Sequence, residues 1–342
     1  MIENLNPSIK KVILLNNTIN NYHHGCDLVI TNLKKLLKKN NFEIILSVNN
    51  GKNWISINNF DDYIKKSDLI IINGEGTIHH NQKIGIDLLK ISEYAKLRNT
   101  PCYLINATYE NNDFLYQKYL KLFELIFVRD SFSNNELKKI NINSKICPDL
   151  TFYYKNDINN FKKSKNNKIL ITDSNCKEIT LNLFDLYFSN KKKYKYSTIL
   201  KSSIDLIDTN YINIKKIKYI VKQSIYNFCK IKPKDNDINR FYGLNNLKKF
   251  LLLINNSKYV ISGRFHVICF CILLEIPFLS INSNSQKINS LINDIGLNNK
   301  RLINKEKINY IKINDNYIFE QIKFSKIEKL KITNFKIAAK KK

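Results

Sequence analysis

Short apolar runs alternate with helix-period segments along most of this chain, and that alternation leaves few folds open. Val12–Leu15, Phe42–Leu46, Asp68–Ile72, Cys102–Ile105, Leu125–Val128 and Lys145–Cys147 are strand-sized. Between them, Asp27–Lys39 places Leu28, Leu33, Leu36 and Leu37 on one face with lysines opposite, the pattern of an amphipathic helix. Helices are also expected over Ile84–Leu97, Phe114–Leu122 and Ser133–Lys139. Strands that alternate with helices pair in parallel and bury both faces of the sheet.

The polar stretch Phe161–Lys168 lacks apolar periodicity and reads as a linker or loop. A second alternation follows it, with strands at Ile169–Ile171, Ser197–Leu200, Tyr259–Ile261 and Phe278–Ile281. Its helices are expected at Leu181–Phe188, Ile214–Cys229, Leu244–Asn255, Arg264–Leu274 and Gln286–Ile295. The expectation is therefore an α/β protein of two Rossmann-like domains facing each other across a cleft. They would cover residues 1–155 and 156–300, the second binding the donor, with a basic tail over 301–342 that could pack back on the first. From Lys300 onward there are 13 basic and 4 acidic residues, a surplus of +9, and Phe319–Leu330 is amphipathic.

At 342 residues and 44% hydrophobic content, the chain can bury two cores, which excludes wholesale disorder. The net charge of +27 invites a nucleic-acid reading, but Arg occurs only at Arg98, Arg129, Arg240, Arg264 and Arg301. Lysine is spread everywhere rather than gathered on one face, so no nucleic-acid partner is expected. The seven cysteines form no CxxC and fit reduced, buried thiols in a cytoplasmic protein. Met1–Lys11 is polar, unlike a secretion signal, and Tyr259–Ile281 contains Arg264, His266, Glu275 and Pro277, unlike a membrane span. Electrostatic contact of the basic tail with an anionic membrane face is a further expectation.

In a chain this biased, the scarce residue types carry the information. All five histidines fall in three short segments, His23–His24, His79–His80 and His266, and these segments also hold Gly25, Gly74, Gly76 and Gly263. Each segment follows a strand, where open parallel sheets bind ligands. The first, Asn20–Asp27, turns at Gly25 into a helix whose free N–H groups suit an anion. The second, Ile70–His80, ends an apolar strand in Gly74-Glu75-Gly76-Thr77, and Glu75 there can bind hydroxyls or move a proton. In the third, Ser262-Gly263-Arg264-Phe265-His266, a strand becomes a helix, and a guanidinium fork in the first turn fits phosphate or carboxylate. Arg129 and Asp149 stand at two further strand ends, where they are either site residues or a structural pair, with Ser131 as a helix cap. The histidine pairs lack helical i, i+4 spacing and an acidic companion set, so no metal is expected.

The order of these pieces resembles the polysaccharide pyruvyl transferase family. The resemblance rests on His23–Asp27, Asn73–Thr77, Val128–Ser131, Pro148–Phe152 and Ser262–His266, with Ile276-Pro277-Phe278 and Gln286–Leu297 downstream. It implies a GT-B-like arrangement, no cofactor, and transfer of pyruvate from phosphoenolpyruvate to two hydroxyls of a sugar in cell-surface polysaccharide synthesis, such as capsule or lipopolysaccharide. The acceptor would be a glycan or lipid-linked oligosaccharide. Arg264 and His266 match the residues that hold or protonate phosphoenolpyruvate, with Ser262, Gly263 and Arg129 beside them. Glu75 or Asp149 can serve as base, and His24, Gly25, Gly74, Gly76, Thr77, His79 and His80 would line the acceptor side. Two positions depart from the family's usual reading. Cys26 stands where the first turn commonly has Asp, and Glu75 stands where the loop commonly has Gly. A GT-B glycosyltransferase using a nucleotide-activated sugar, with Glu75 and Asp149 as paired carboxylates, is the alternative. A non-catalytic glycan- or lipid-binding protein is a third.

Overall fold

The computed structural model describes residues 8–153, 168–201, 242–282, 285–308, 311 and 318–341. The chain divides into two compact units. The first comprises Met1–Asn21, Cys26–Tyr154 and Ile337–Lys342, and the second Tyr22–Gly25 and Lys155–Lys336.

The first unit is a six-stranded parallel sheet in the order β2-β1-β3-β4-β5-β6. Its strands are β1 (Lys10–Asn17), β2 (Phe42–Asn49), β3 (Leu69–Asn73), β4 (Cys102–Ala107), β5 (Leu125–Val128) and β6 (Lys145–Ile146). The helices between them are α1 (His24–Lys39), α2 (Phe60–Lys66), α3 (Lys83–Leu89), α4 (Ile91–Lys96), α5 (Phe114–Leu120) and α6 (Ser131–Lys139). β3 is buried along its whole length, as a central parallel strand must be. Alternate residues serve opposite faces. Ile13, Leu15, Ile70 and Ile72 pack in the larger cluster with Trp54, Phe60 and Leu89. Val12, Leu14, Leu69 and Ile71 pack in the other with Leu33 and Leu37 of α1. The helix expected over Ile84–Leu97 is two, meeting at Lys90, and α2 was not legible as a helix. α6 is capped by Asp130, whose Oδ1 accepts from the Ser133 N–H at 2.8 Å; Ser131 is already helical.

The second unit is a five-stranded parallel sheet in the order β11-β10-β9-β7-β8. Its strands are β7 (Ile169–Ser174), β8 (Tyr194–Tyr196), β9 (Tyr259–Gly263), β10 (Phe278–Ile281) and β11 (Leu302–Ile303). Its described helices are α7 (Lys177–Ser189), α8 (Leu247–Asn255), α9 (Phe265–Leu274), α10 (Lys287–Ile295) and, running into the first unit at Ile337, α11 (Lys326–Lys341). α9 buries every residue from Phe265 to Ile272, so Tyr259–Ile281 is a core strand–helix–strand. Among the described residues, no helix is long and apolar enough to cross a membrane. The strand expected at Ser197–Leu200 lies earlier, at β8. There Tyr194 and Tyr196 are buried and Lys195 exposed, while Thr198 makes only an isolated bridge to Gly243. The 155/156 boundary, the linker up to residue 167 and the helix expected over Ile214–Cys229 lie outside the described residues.

Candidate functional site

Each sheet carries a polar cluster where its strands end at their C-termini. In the first unit the centre is Glu75, two residues beyond β3 and only 5% exposed. The carboxylate is held inside the unit and does not project outward. Oε2 accepts from Thr18 Oγ1 at 2.9 Å and from Asn73 Nδ2 at 3.4 Å. Oε1 accepts from the Cys26 thiol at 3.1 Å. Burial, and then Glu75 itself, push the Cys26 thiol well above the usual thiol range, so it stays protonated and donates. The two positions that depart from the family's usual motifs are thus partners in one buried hydrogen bond.

The glycines around Glu75 do different work. Gly76 has φ +65° with open space where a side chain would start, so the turn needs its backbone freedom. Gly74 has an ordinary φ, but a Cβ there would lie 2.6 Å from Ala107 Cβ, so it permits β3 and β4 to pass closely. Thr77 is buried and accepts from Asn16 Nδ2 at 3.4 Å. His79 is buried against exposed His80, with their Nδ1 atoms 2.9 Å apart.

Arg129 and Asp149 form a buried ion pair, Nη1 to Oδ2 at 2.9 Å, with side-chain exposures of 2% and 1%. Arg129 Nε also donates to Thr108 Oγ1 at 2.6 Å, and Asp149 Oδ1 accepts from the Thr151 N–H at 2.9 Å. Burial works against the Arg129 charge, but Asp149, Glu75 and Asp130 outweigh it and hold the guanidinium above its ordinary value. The expected donor clamp and base are therefore turned toward each other and away from solvent. Of the two readings the sequence left open, the geometry favours the structural pair.

In the second unit the corresponding cluster is cationic. Arg264 caps α9 from an extended conformation, one residue before the helix begins. Its Nε donates to Asp173 Oδ2 at 2.7 Å, and Nη2 contacts the same oxygen. Ser262 Oγ accepts from the Arg264 N–H at 3.0 Å and from Thr172 Oγ1 at 2.6 Å. Asp173 Oδ1 accepts from the Ile199 N–H at 3.1 Å. Gly263 lies against β7, where a Cβ would sit 2.5 Å from Ser174 Cβ. That glycine serves strand contact rather than ligand approach.

His266, in the first turn of α9, faces His23 edge-on with ring centroids 5.4 Å apart. Gly25 lies under the same ring, since a Cβ would fall 2.3 Å from His266 Cγ. Gly25 is inside α1 without a positive φ, so it gives clearance to His266 rather than a turn. Burial pushes the His23 imidazole well below its usual range, and the charges of His266, Arg264, His24 and Lys287 push it further. Lys287, the first residue of α10, is itself only 6% exposed. His24 is fully buried, stacked on Phe250 at 5.1 Å, with Nε2 2.5 Å from the Leu244 carbonyl oxygen. It lies in the core of the unit and not on a surface.

Arg264 and Lys287, with the N-termini of α9 and α10, put positive potential beside the neutral His23 imidazole and His266, and Asp173 pairs with Arg264. Such a set can hold a di-anion that carries phosphate and carboxylate together. Lys287 could not be singled out in sequence, because lysine is the commonest charged residue of the chain. Asp173 was missed because its partner lies 91 residues away. Among the described residues no His/Cys/Asp/Glu group is placed to hold a metal ion.

Proteins of known structure share the fold. The Staphylococcus aureus MnaA–UDP co-structure is similar over 95% of each chain, with TM-score 0.54 and 13% identity. The UDP-GlcNAc 2-epimerase from Neisseria meningitidis bound to UDP-GlcNAc is similar over 97% of this chain and 99% of its own, with TM-score 0.53 and 11% identity. At such identity the likeness establishes the fold alone, a GT-B-like pair of parallel α/β sheets. No curated protein matches the sequence. The sequence model of the family described as polysaccharide pyruvyl transferase matches residues 23–285, a span that takes in all five motif segments. This chain belongs to the polysaccharide pyruvyl transferase family, a family of transferases.

Proposed function

We propose that the protein transfers pyruvate from phosphoenolpyruvate to two hydroxyls of a saccharide, forming a cyclic ketal and releasing inorganic phosphate. The observation that carries the reading is the buried cationic set of the second unit. Arg264 and Lys287 would hold the donor's phosphate and carboxylate, with His23 kept as a neutral donor beside them. His266 would deliver a proton to the methylene carbon, making the central carbon electrophilic. One hydroxyl adds there, phosphate leaves, and the second hydroxyl closes the ketal. Of the two hydroxyl protons released, one balances the new methyl group and the other leaves on phosphate. On the acceptor side, Glu75 would take a hydroxyl proton, its two oxygens fixed by Thr18 and Cys26. No cofactor or metal enters this scheme. The acceptor would be a glycan of the cell surface, free or lipid-linked, met by a peripheral enzyme at a membrane face.

The test is incubation of the purified protein with phosphoenolpyruvate and oligosaccharide acceptors. Release of phosphate that depends on acceptor, with a product heavier by one pyruvyl ketal, supports the reading. Inertness toward phosphoenolpyruvate together with turnover of a nucleotide sugar overturns it in favour of a glycosyltransferase.

A further inference from the structure

We propose that the outward face of α11 docks the protein on an anionic lipid surface. One side of this helix is firmly anchored. Glu328, its only acidic residue, receives Arg301 Nη2 on both oxygens at 2.9 Å, and the N–H groups of Asn298 and Ser325 at 3.1 and 3.0 Å. Ile332 is fully buried and Ala339 nearly so, on the same side as Glu328. Lys331 and Lys336 bend away to the Gly296 carbonyl and Glu275.

The opposite side is organised differently. Ile327, Leu330 and Ile337 are 68%, 62% and 46% exposed. Their spacing of three and seven residues aligns them in one row along the helix. Lys326, Lys329 and Lys340 are exposed along one flank of that row. Single exposed apolar residues are ordinary, but three in helical register, with exposed Asn334 between them and Lys326, Lys329, Lys340 and Thr333 along one flank, are not scattered. An apolar stripe set into a basic helix is the form that lies in a bilayer interface, with the aliphatic side chains among acyl chains and the ammonium groups at anionic headgroups.

Lipid fits better than a protein or nucleic-acid partner. Specific protein contacts favour Trp, Tyr and Arg, and nucleic acids favour Arg with aromatics, whereas this face has none of these. Lysine on a flexible stem is a point charge, suited to a fluid array of headgroups rather than to one fixed geometry. The apolar row also goes beyond the purely electrostatic attraction that the basic composition implies.

Vesicle binding needs neither substrate nor turnover, so its outcome is independent of the pyruvyl-transfer reading. The full chain is sedimented with vesicles of phosphatidylcholine alone or mixed with phosphatidylglycerol, at low and high salt. Binding to the mixed vesicles at low salt, weakened by salt and absent on phosphatidylcholine, is the expected result. The double variant Ile327→Ser/Leu330→Ser keeps every charge and should partition about tenfold less. Lys329→Glu/Lys340→Glu should bind less as well, with circular dichroism confirming that both variants are folded. No binding to anionic vesicles at low salt overturns the proposal. So does binding by the serine variant equal to that of the parent chain, which would assign the attraction to the +27 charge of the chain at large.

Discussion

In the first unit Glu75 and Asp149 are each matched by donors or by a cation, Thr18 and Cys26 for one and Arg129 for the other. In the second unit Arg264 pairs with Asp173, and Arg264 and Lys287 both act on the buried imidazole of His23 beside His266. Both clusters form at strand C-termini of parallel sheets, so topology alone does not separate them. The difference is electrical. The first cluster fixes its carboxylates with hydroxyl, thiol and guanidinium donors, while the second brings Arg264 and Lys287 close to a neutral imidazole. Under the proposed function, that contrast is what one expects if the anionic donor binds the second unit and proton transfer belongs to the first.

The sharpest way to break this assignment is Glu75→Gln. It keeps the shape and removes the proton acceptor. We expect kcat to fall roughly 10²–10⁴-fold with the donor KM unchanged. A variant with parental kcat would leave Glu75 a structural group and void the contrast. A second pair of variants sharpens it. Glu75→Gly removes the carboxylate, and adding Cys26→Asp returns one across the 3.1 Å contact. Partial recovery of kcat in the double variant is expected if a charge at that spot is what matters. No recovery would show that the loop must carry it.

The complementary change is Arg264→Lys. Lysine keeps the charge but cannot present the planar fork to Asp173 and a ligand together. kcat/KM for phosphoenolpyruvate should fall about 10–10²-fold, the scale for loss of one hydrogen bond to a charged group in binding. The loss should appear in the donor's KM, unlike that of Glu75→Gln. Equal loss in the acceptor's KM with donor binding intact would reverse the assignment of the two units.

How far the sequence reveals all this depends on rarity. Five histidines and five arginines among 342 residues stand out, and the segments that carry His23, Arg129 and Arg264–His266 lead to the two clusters. The apolar runs gave the sheets, because a buried parallel strand needs an unbroken run. Lys287 was hidden by its own abundance. The glycines were visible but their purpose was not. Gly25, Gly74 and Gly263 are set by clearances to His266, Ala107 and Ser174, neighbours brought close only by the fold. For the same reason Arg129 and Asp149, 20 residues apart, could be read as site or as scaffold until their contact was seen. Tyr194–Tyr196 does not stand out as β8, because two tyrosines around a lysine form too short an alternation among lysine-rich segments.

The buried Arg129–Asp149 pair of the first unit can be tested through stability. Asp149→Asn leaves Arg129 buried without its counter-charge, and a loss of about 3–5 kcal/mol is expected. The double variant Arg129→Met/Asp149→Leu removes both charges and should recover most of that loss, read as denaturant midpoints. If the single change costs nothing, the pair is hydrated and available, and its assignment as scaffold fails.

The smallest expected effect concerns the second unit's histidines and appears only with pH. Burial brings the His24 imidazole from 6.5 down to about 4, with the Leu244 carbonyl opposing the shift and Lys201 adding to it. The unfolded chain therefore binds a proton that the folded chain refuses between these values. Stability from this group is complete above pH 6.5 and declines as pH falls toward 4. A full shift of this size corresponds to about 3 kcal/mol at the acid end, and about half of it is expected near pH 5. His24→Gln retains a donor for the Leu244 carbonyl and cannot titrate, so its stability should vary less over that window than the parent's. The first unit supplies the control, because neither Glu75 nor Asp149 is altered by the change. Parallel pH profiles for the variant and the parent would show that the His24 imidazole is hydrated in the folded chain and that its burial against Phe250 and the Leu244 carbonyl does not hold.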